Sequence, residues 1–104
     1  MGINYSVPER TKITVGIWPG ITESDIELRF NFMFLDDRLH DKHWNALHSA
    51  IKPYGYTLGE LTKHNQAIVY ISGDHIKTVK ARFDSAKGIN LVWQNYNAIL
   101  HGRQ

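Results

Sequence analysis

The chain contains no cysteine. Disulfides, thiolate metal sites and cysteine nucleophiles are therefore excluded, and a reducing compartment is the simplest setting. A cytoplasmic location is expected on that basis. No apolar run approaches the roughly 20 residues that a membrane span needs, so no membrane partner is expected. The opening residues, Met1-Gly2-Ile3-Asn4-Tyr5, have neither the basic region nor the apolar region of a signal peptide. Gly2 and Ser6 match a short myristoylation pattern that chance supplies often.

Charge of one sign is also scarce. Twelve Lys and Arg stand against ten Asp and Glu, for a net charge of +2 with no basic run. That balance permits nucleic-acid binding without demanding it, and it excludes an acidic nucleic-acid mimic. The familiar catalytic signatures are missing as well. There is no Ser-His-Asp spacing and no nucleophile elbow. Pro19-Gly20 and Gly55–Gly59 lack the lysine and the glycine spacing of a phosphate loop. No cofactor is expected.

What is present is enough for one packed domain over residues 1–104. Apolar residues make up 42% of the chain and aromatics 12%, which suits a core and argues against disorder. The first eleven residues are polar and read as a loose arm. Lys12 to Trp18 alternate Ile13, Val15 and Ile17 against Thr14, Gly16 and Trp18, a half-buried strand. Pro19-Gly20 turns the chain. Asp25 to Leu35 carries the strongest pattern. Ile26, Leu28, Phe30, Phe32 and Phe34 form an apolar face at period two, against Glu27, Arg29, Asn31, Met33 and Leu35.

Asp36-Asp37 then open an amphipathic helix, because carboxylates cap free N–H groups and complement the dipole. Its apolar arc holds Leu39, Trp44, Ala46, Leu47, Ala50 and Ile51, and Pro53 and Gly55 end it. Tyr56 to Thr62 and Gln66 to Ile71 read as two further strands. Ser72-Gly73-Asp74 caps a second helix with the stripe Ile76, Val79, Phe83 and Ala86, and Gly88 suits its C-terminal end. Asn90 to Leu100 begins as a last strand. The expected fold is α+β: a mainly antiparallel sheet of four to five strands with two helices on one face. The order β-β-α-β-β-α-β contains the ferredoxin-like (split βαβ) order from Asp25 onward. The extra first strand competes with the last for a place beside Asp25–Leu35.

Three function classes follow. The leading one is a small non-enzymatic protein-binding module, acting as an accessory or inhibitory subunit or binding itself as a homodimer. Its candidate contacts are Trp18, Met33, Leu35, Trp93 and Tyr96, because exposed Trp and Tyr are favoured anchors and Met33 and Leu35 require cover. The second is a nucleic-acid-binding module using the aromatics Trp93 and Tyr96, Arg29 and Arg103, and a basic helix face of Lys77, Lys80 and Lys87, with phosphate contacts from the lysines. Against it, the outward residues of Asp25–Leu35 include no aromatic, and no ribonucleoprotein motif is present. The third is a small His- or metal-dependent enzyme. Asp36, His40 and His43 fall near one helix face and are the only metal candidates. The plainer account makes Asp36 a cap and His40 and His43 packed histidines beside Trp44 and Leu47.

Overall fold

A computed structural model of the chain describes residues 12–96. The Gly2–Ser6 pattern, the polar arm, the end of the last expected strand and Arg103 lie outside the described residues. β1 (Lys12–Pro19) and β2 (Asp25–Asn31) form an antiparallel hairpin. Gly20 starts its turn because a Cβ there would sit 2.7 Å from the Asp25 backbone. β3 (Gln66–Ser72) pairs antiparallel with β2 on its other side. β4 (Asn90–Gln94) runs parallel to β1, and the sheet order is β3-β2-β1-β4.

The helices α1 (His40–Ile51) and α2 (Ile76–Asp84) supply the second layer. Leu47 and Ile51 of α1 and Ile76, Val79 and Phe83 of α2 join one buried cluster with Ile13, Val15, Leu28, Phe30, Val69 and Ile71. Phe30 and Phe83 meet edge to face, with ring centroids 4.9 Å apart. Alternate strand residues thus feed one face of the sheet to the helices, as period two requires.

The architecture is α+β, with a four-stranded mixed sheet and two helices, and it departs from the expected order in two places. The segment 56–62 is not a strand. It leans on β3 through two backbone bonds, Gly59 N–H to the Ile68 carbonyl and Thr62 N–H to the Gln66 carbonyl. Two of its other backbone groups are taken by side chains of α1. Trp44 Nε1 donates to the Gly59 carbonyl at 2.7 Å, and Leu58 N–H donates to His48 Nδ1 at 3.3 Å. Backbone groups satisfied this way cannot also complete a ladder. The second departure is β4. β1 already occupies the free side of β2, so the last strand takes the outer side of β1. It lies parallel there, because α2 carries the chain across β2 and β1 from one edge of the sheet to the other.

Element ends also shift. β2 stops at Asn31. Phe32 and Leu35 turn into the core, whereas Met33 and Phe34 are each 57% exposed. The expectation that Phe34 joins the core face fails because the pleat ends before it. A short 3-10 turn, Asp37–Leu39, precedes α1, with Asp36 accepting from Arg38 N–H. α2 ends at Asp84, short of Gly88, and Ala86 lies beyond the helix. β4 ends at Gln94, where Asn95 takes a positive φ of 64°.

Candidate functional site

The residues that do not feed the core lie on the other face of the sheet. Among the described residues no element is packed over it. Strand register sorts them into rows. Tyr70, Glu27 and Trp18 lie side by side on β3, β2 and β1. Ile68, Arg29, Gly16 and Gln94 form the next row, and Gln66, Asn31, Thr14 and Val92 the one after. Trp18 is 43% exposed, Tyr70 46% and Val92 39%. This face is therefore aromatic at the hairpin end, and at the β4 edge it presents Val92 between the amides of Asn90 and Gln94.

Its centre is ordered by an interlocked set. The indole of Trp18 folds back over Gly16, whose missing side chain makes the room: a Cβ there would lie 3.1 Å from Trp18 Nε1. The guanidinium of Arg29 stacks over that indole, 4.4 Å from its ring centroid. Arg29 Nε also pairs with Glu27. Glu27 is almost buried, flanked in register by Trp18 and Tyr70. A carboxylate this shielded needs its partner, so the pair fixes Arg29, and Arg29 fixes the indole. The result is a braced indole beside a positive charge that is already neutralised.

The other candidate residues are placed elsewhere. Leu35 is part of the core, and Met33 stands exposed with Phe34 in the loop after β2. Trp93 and Tyr96 face the helix layer. Trp93 packs near Phe30 and Phe83, Tyr96 packs on Trp93, and Trp93 Nε1 donates to Asp84 at 2.8 Å. Lys80 is bound into the same group by Asp84 at 2.7 Å and by the rings of Trp93 and Tyr96. Lys77, Lys80 and Lys87 belong to α2 and the loop after it, and so lie in the layer opposite Arg29. Arg29 is therefore separated from the lysines by the thickness of the domain, whereas Lys80 lies 5.2 Å and 5.0 Å from the ring centroids of Trp93 and Tyr96.

Asp36, His40 and His43 do not converge. Both carboxylate oxygens of Asp36 bond Arg38, holding that guanidinium's pKa above its ordinary value. His40 Nε2 lies 3.1 Å from the Leu35 carbonyl, and its ring meets Phe32 edge-on. His43 is buried, and neither ring nitrogen makes a hydrogen bond of ordinary geometry. Burial lowers its pKa below 6.5, against a weaker raising influence from the nearby Leu39 and Gly88 backbone. Among the described residues no three His, Cys, Asp or Glu side chains are grouped to hold a metal ion. None of the described helices is long and apolar enough to cross a membrane.

The residues that sequence reasoning did not assign to a site are Ile68, Tyr70 and Val92. The signal was available in the alternation of β3 and β4, but only the strand order shows that they share a face with Trp18 and Arg29. No family model, curated protein or solved structure matches the chain. The functional reading accordingly rests on this face and its chemistry.

Proposed function

We propose that the protein is a non-enzymatic protein-binding module whose working surface is the open face of its sheet. The observation that carries this reading is the Trp18–Arg29–Glu27–Tyr70 arrangement. Trp, Tyr and Arg are the residue types enriched where binding energy concentrates. Here Trp18 and Arg29 brace each other before any partner arrives, so little ordering of those two side chains remains to oppose association.

Size and charge select the kind of partner. Four strands spaced ~4.8 Å apart make a face about 15 Å across between the outer strand axes. With strands of five to eight residues, the area is about half the ~800 Å² per partner of a standard interface. Such a face fits one helix, about 10–12 Å in diameter, or one extended segment. It is too small for a broad domain surface. Arg29 is neutralised by Glu27, and the exposed side chains around it are apolar or uncharged apart from Lys12 and Asp25 at the margins. The occupant that matches is an apolar segment of another protein, presenting aliphatic side chains to Trp18 and Tyr70.

Nucleic acid fits less well, because stacking surfaces are effective where a positive groove holds the phosphates beside them. The lysines of α2 are not beside Trp18 and Tyr70, and Lys80, which does lie against Trp93 and Tyr96, is paired with Asp84.

Selection from a displayed peptide library, using the folded protein and a Trp18→Ala, Tyr70→Ala double variant, tests the reading. The expected result is a family of peptides rich in aliphatic residues that binds the protein and loses most affinity for the variant. Peptides that bind both proteins equally would contradict it. So would salt-sensitive binding of an oligothymidine that the double variant abolishes.

A further inference from the structure

We propose that β4 is a self-pairing edge, through which two copies of the chain join their sheets into one continuous sheet of eight strands. The inference concerns a different surface from the open face and does not depend on peptide binding there.

β4 is an end strand of the sheet, and among the described residues no strand pairs with its outer side. Outer edges present a row of N–H and C=O groups that accept any strand of suitable shape. Proteins ordinarily protect such edges with lysine, proline, an inward charge or a bulge. Asn90-Leu91-Val92-Trp93-Gln94 has none of these. At the opposite end of the sheet, β3 is shielded by the 56–62 segment and its bonds from Gly59 and Thr62.

The sequence of β4 also matches itself. Antiparallel pairing about Val92 sets Val92 against the second copy's Val92 on the open face. Asn90 then faces the second copy's Gln94 on the same side, an amide against an amide. Leu91 faces the second copy's Trp93 on the helix side, an aliphatic against an aromatic. Aliphatic–aromatic and hydrogen-bonding pairs are the favourable cross-strand combinations, and no like charges meet. A five-residue edge buries little area, so the expected dimer is weak and concentration-dependent. It would double the open face and bring that face near the area of a standard interface.

The absence of cysteine gives a clean test. Opposed Cβ atoms of an antiparallel pair lie about 4.5–5.5 Å apart, close to disulfide range. The full-length Val92→Cys variant, oxidised at concentrations near 100 μM, is expected to form disulfide dimers about tenfold faster or more than Lys77→Cys. Mixed Asn90→Cys and Gln94→Cys proteins are expected to cross-link to each other and not to themselves. Val92→Lys opposes two ammonium groups at the two-fold axis. It is expected to raise the dissociation constant about tenfold or more in sedimentation experiments, with Val92→Thr as a neutral control. Val92 is exposed, so circular dichroism should report unchanged folding in each variant. Equal cross-linking of Val92→Cys and Lys77→Cys, or a protein that sediments as a monomer at every concentration, would overturn the proposal. So would cross-linking of Asn90→Cys to itself, because that register is not antiparallel about Val92.

Discussion

Arg29 lies 4.4 Å above the indole of Trp18, and Gly16, its neighbour on β1, leaves the space into which that indole folds. The same guanidinium pairs with Glu27 on its own strand. One arginine thus connects the charge balance of the sheet face to the orientation of its largest side chain.

Removing that arginine should free the indole without unfolding the domain. Arg29→Ala loses a partly exposed stacking contact worth about 0.5–1 kcal/mol, and it leaves Glu27 without its partner at a further cost of about 1 kcal/mol. The near-ultraviolet circular dichroism of the tryptophans should weaken while the far-ultraviolet spectrum stays constant. Glu27→Gln, which keeps an acceptor for Arg29, should retain most of the tryptophan signal.

Gly16→Val should displace the indole from the other direction. A Cβ at this position already meets Trp18 Nε1 at 3.1 Å, and the branched side chain adds more atoms there. Because Trp18 is 43% exposed, the indole can swing away, so the stability loss should stay below about 1.5 kcal/mol. Trp18 should then become more accessible to iodide quenching of its fluorescence.

The core should respond far more strongly than the face. Phe83→Ala removes the ring that meets Phe30 edge to face at 4.9 Å, and Phe83 is fully buried. The expected loss is about 3–5 kcal/mol in urea unfolding, a large fraction of a small domain's stability. Tyr70→Ala on the open face should cost under about 1 kcal/mol.

Acid should weaken the fold through His43. Its folded pKa lies below 6.5 because burial disfavours the charged ring, and Lys42 and His40 add repulsion. The unfolded chain therefore binds a proton that the folded chain resists. Stability is fully present above pH 6.5 and falls as the pH drops from there towards the folded pKa. His43→Leu removes this component and two unbonded polar atoms. Its unfolding free energy should decline less between pH 7.5 and pH 5 than that of the parent chain, and at pH 7.5 it should be equal or higher.

The strand, turn and helix pattern up to α1 was legible because each element obeys a local rule. Period two marks β1 and β2, Pro19-Gly20 marks the turn between them, and carboxylates mark the helix start. The segment 56–62 misled because two of its backbone groups, Gly59 C=O and Leu58 N–H, are bonded by Trp44 and His48, which are remote in sequence and invisible to alternation. The shared face of Trp18, Arg29, Tyr70 and Val92 could not be read for a related reason. Each strand reveals which of its residues alternate, but its neighbours are set by the β1–β2 hairpin and by the connections through α1 and α2. Met33 and Leu35 show the same limit on a smaller scale. They continue the pattern of β2 in sequence, yet the strand ends at Asn31 and sends one residue outward and the other into the core.

The central claim is that the open face, and not the helix layer, meets the partner. Nuclear magnetic resonance titration of the labelled protein with a selected peptide tests it most directly. The account predicts amide shift changes concentrated at Gly16, Trp18, Arg29, Ile68 and Tyr70, lost in the Trp18→Ala variant. Changes centred on α2 around Lys77 and Lys80, undiminished by Trp18→Ala, would contradict it.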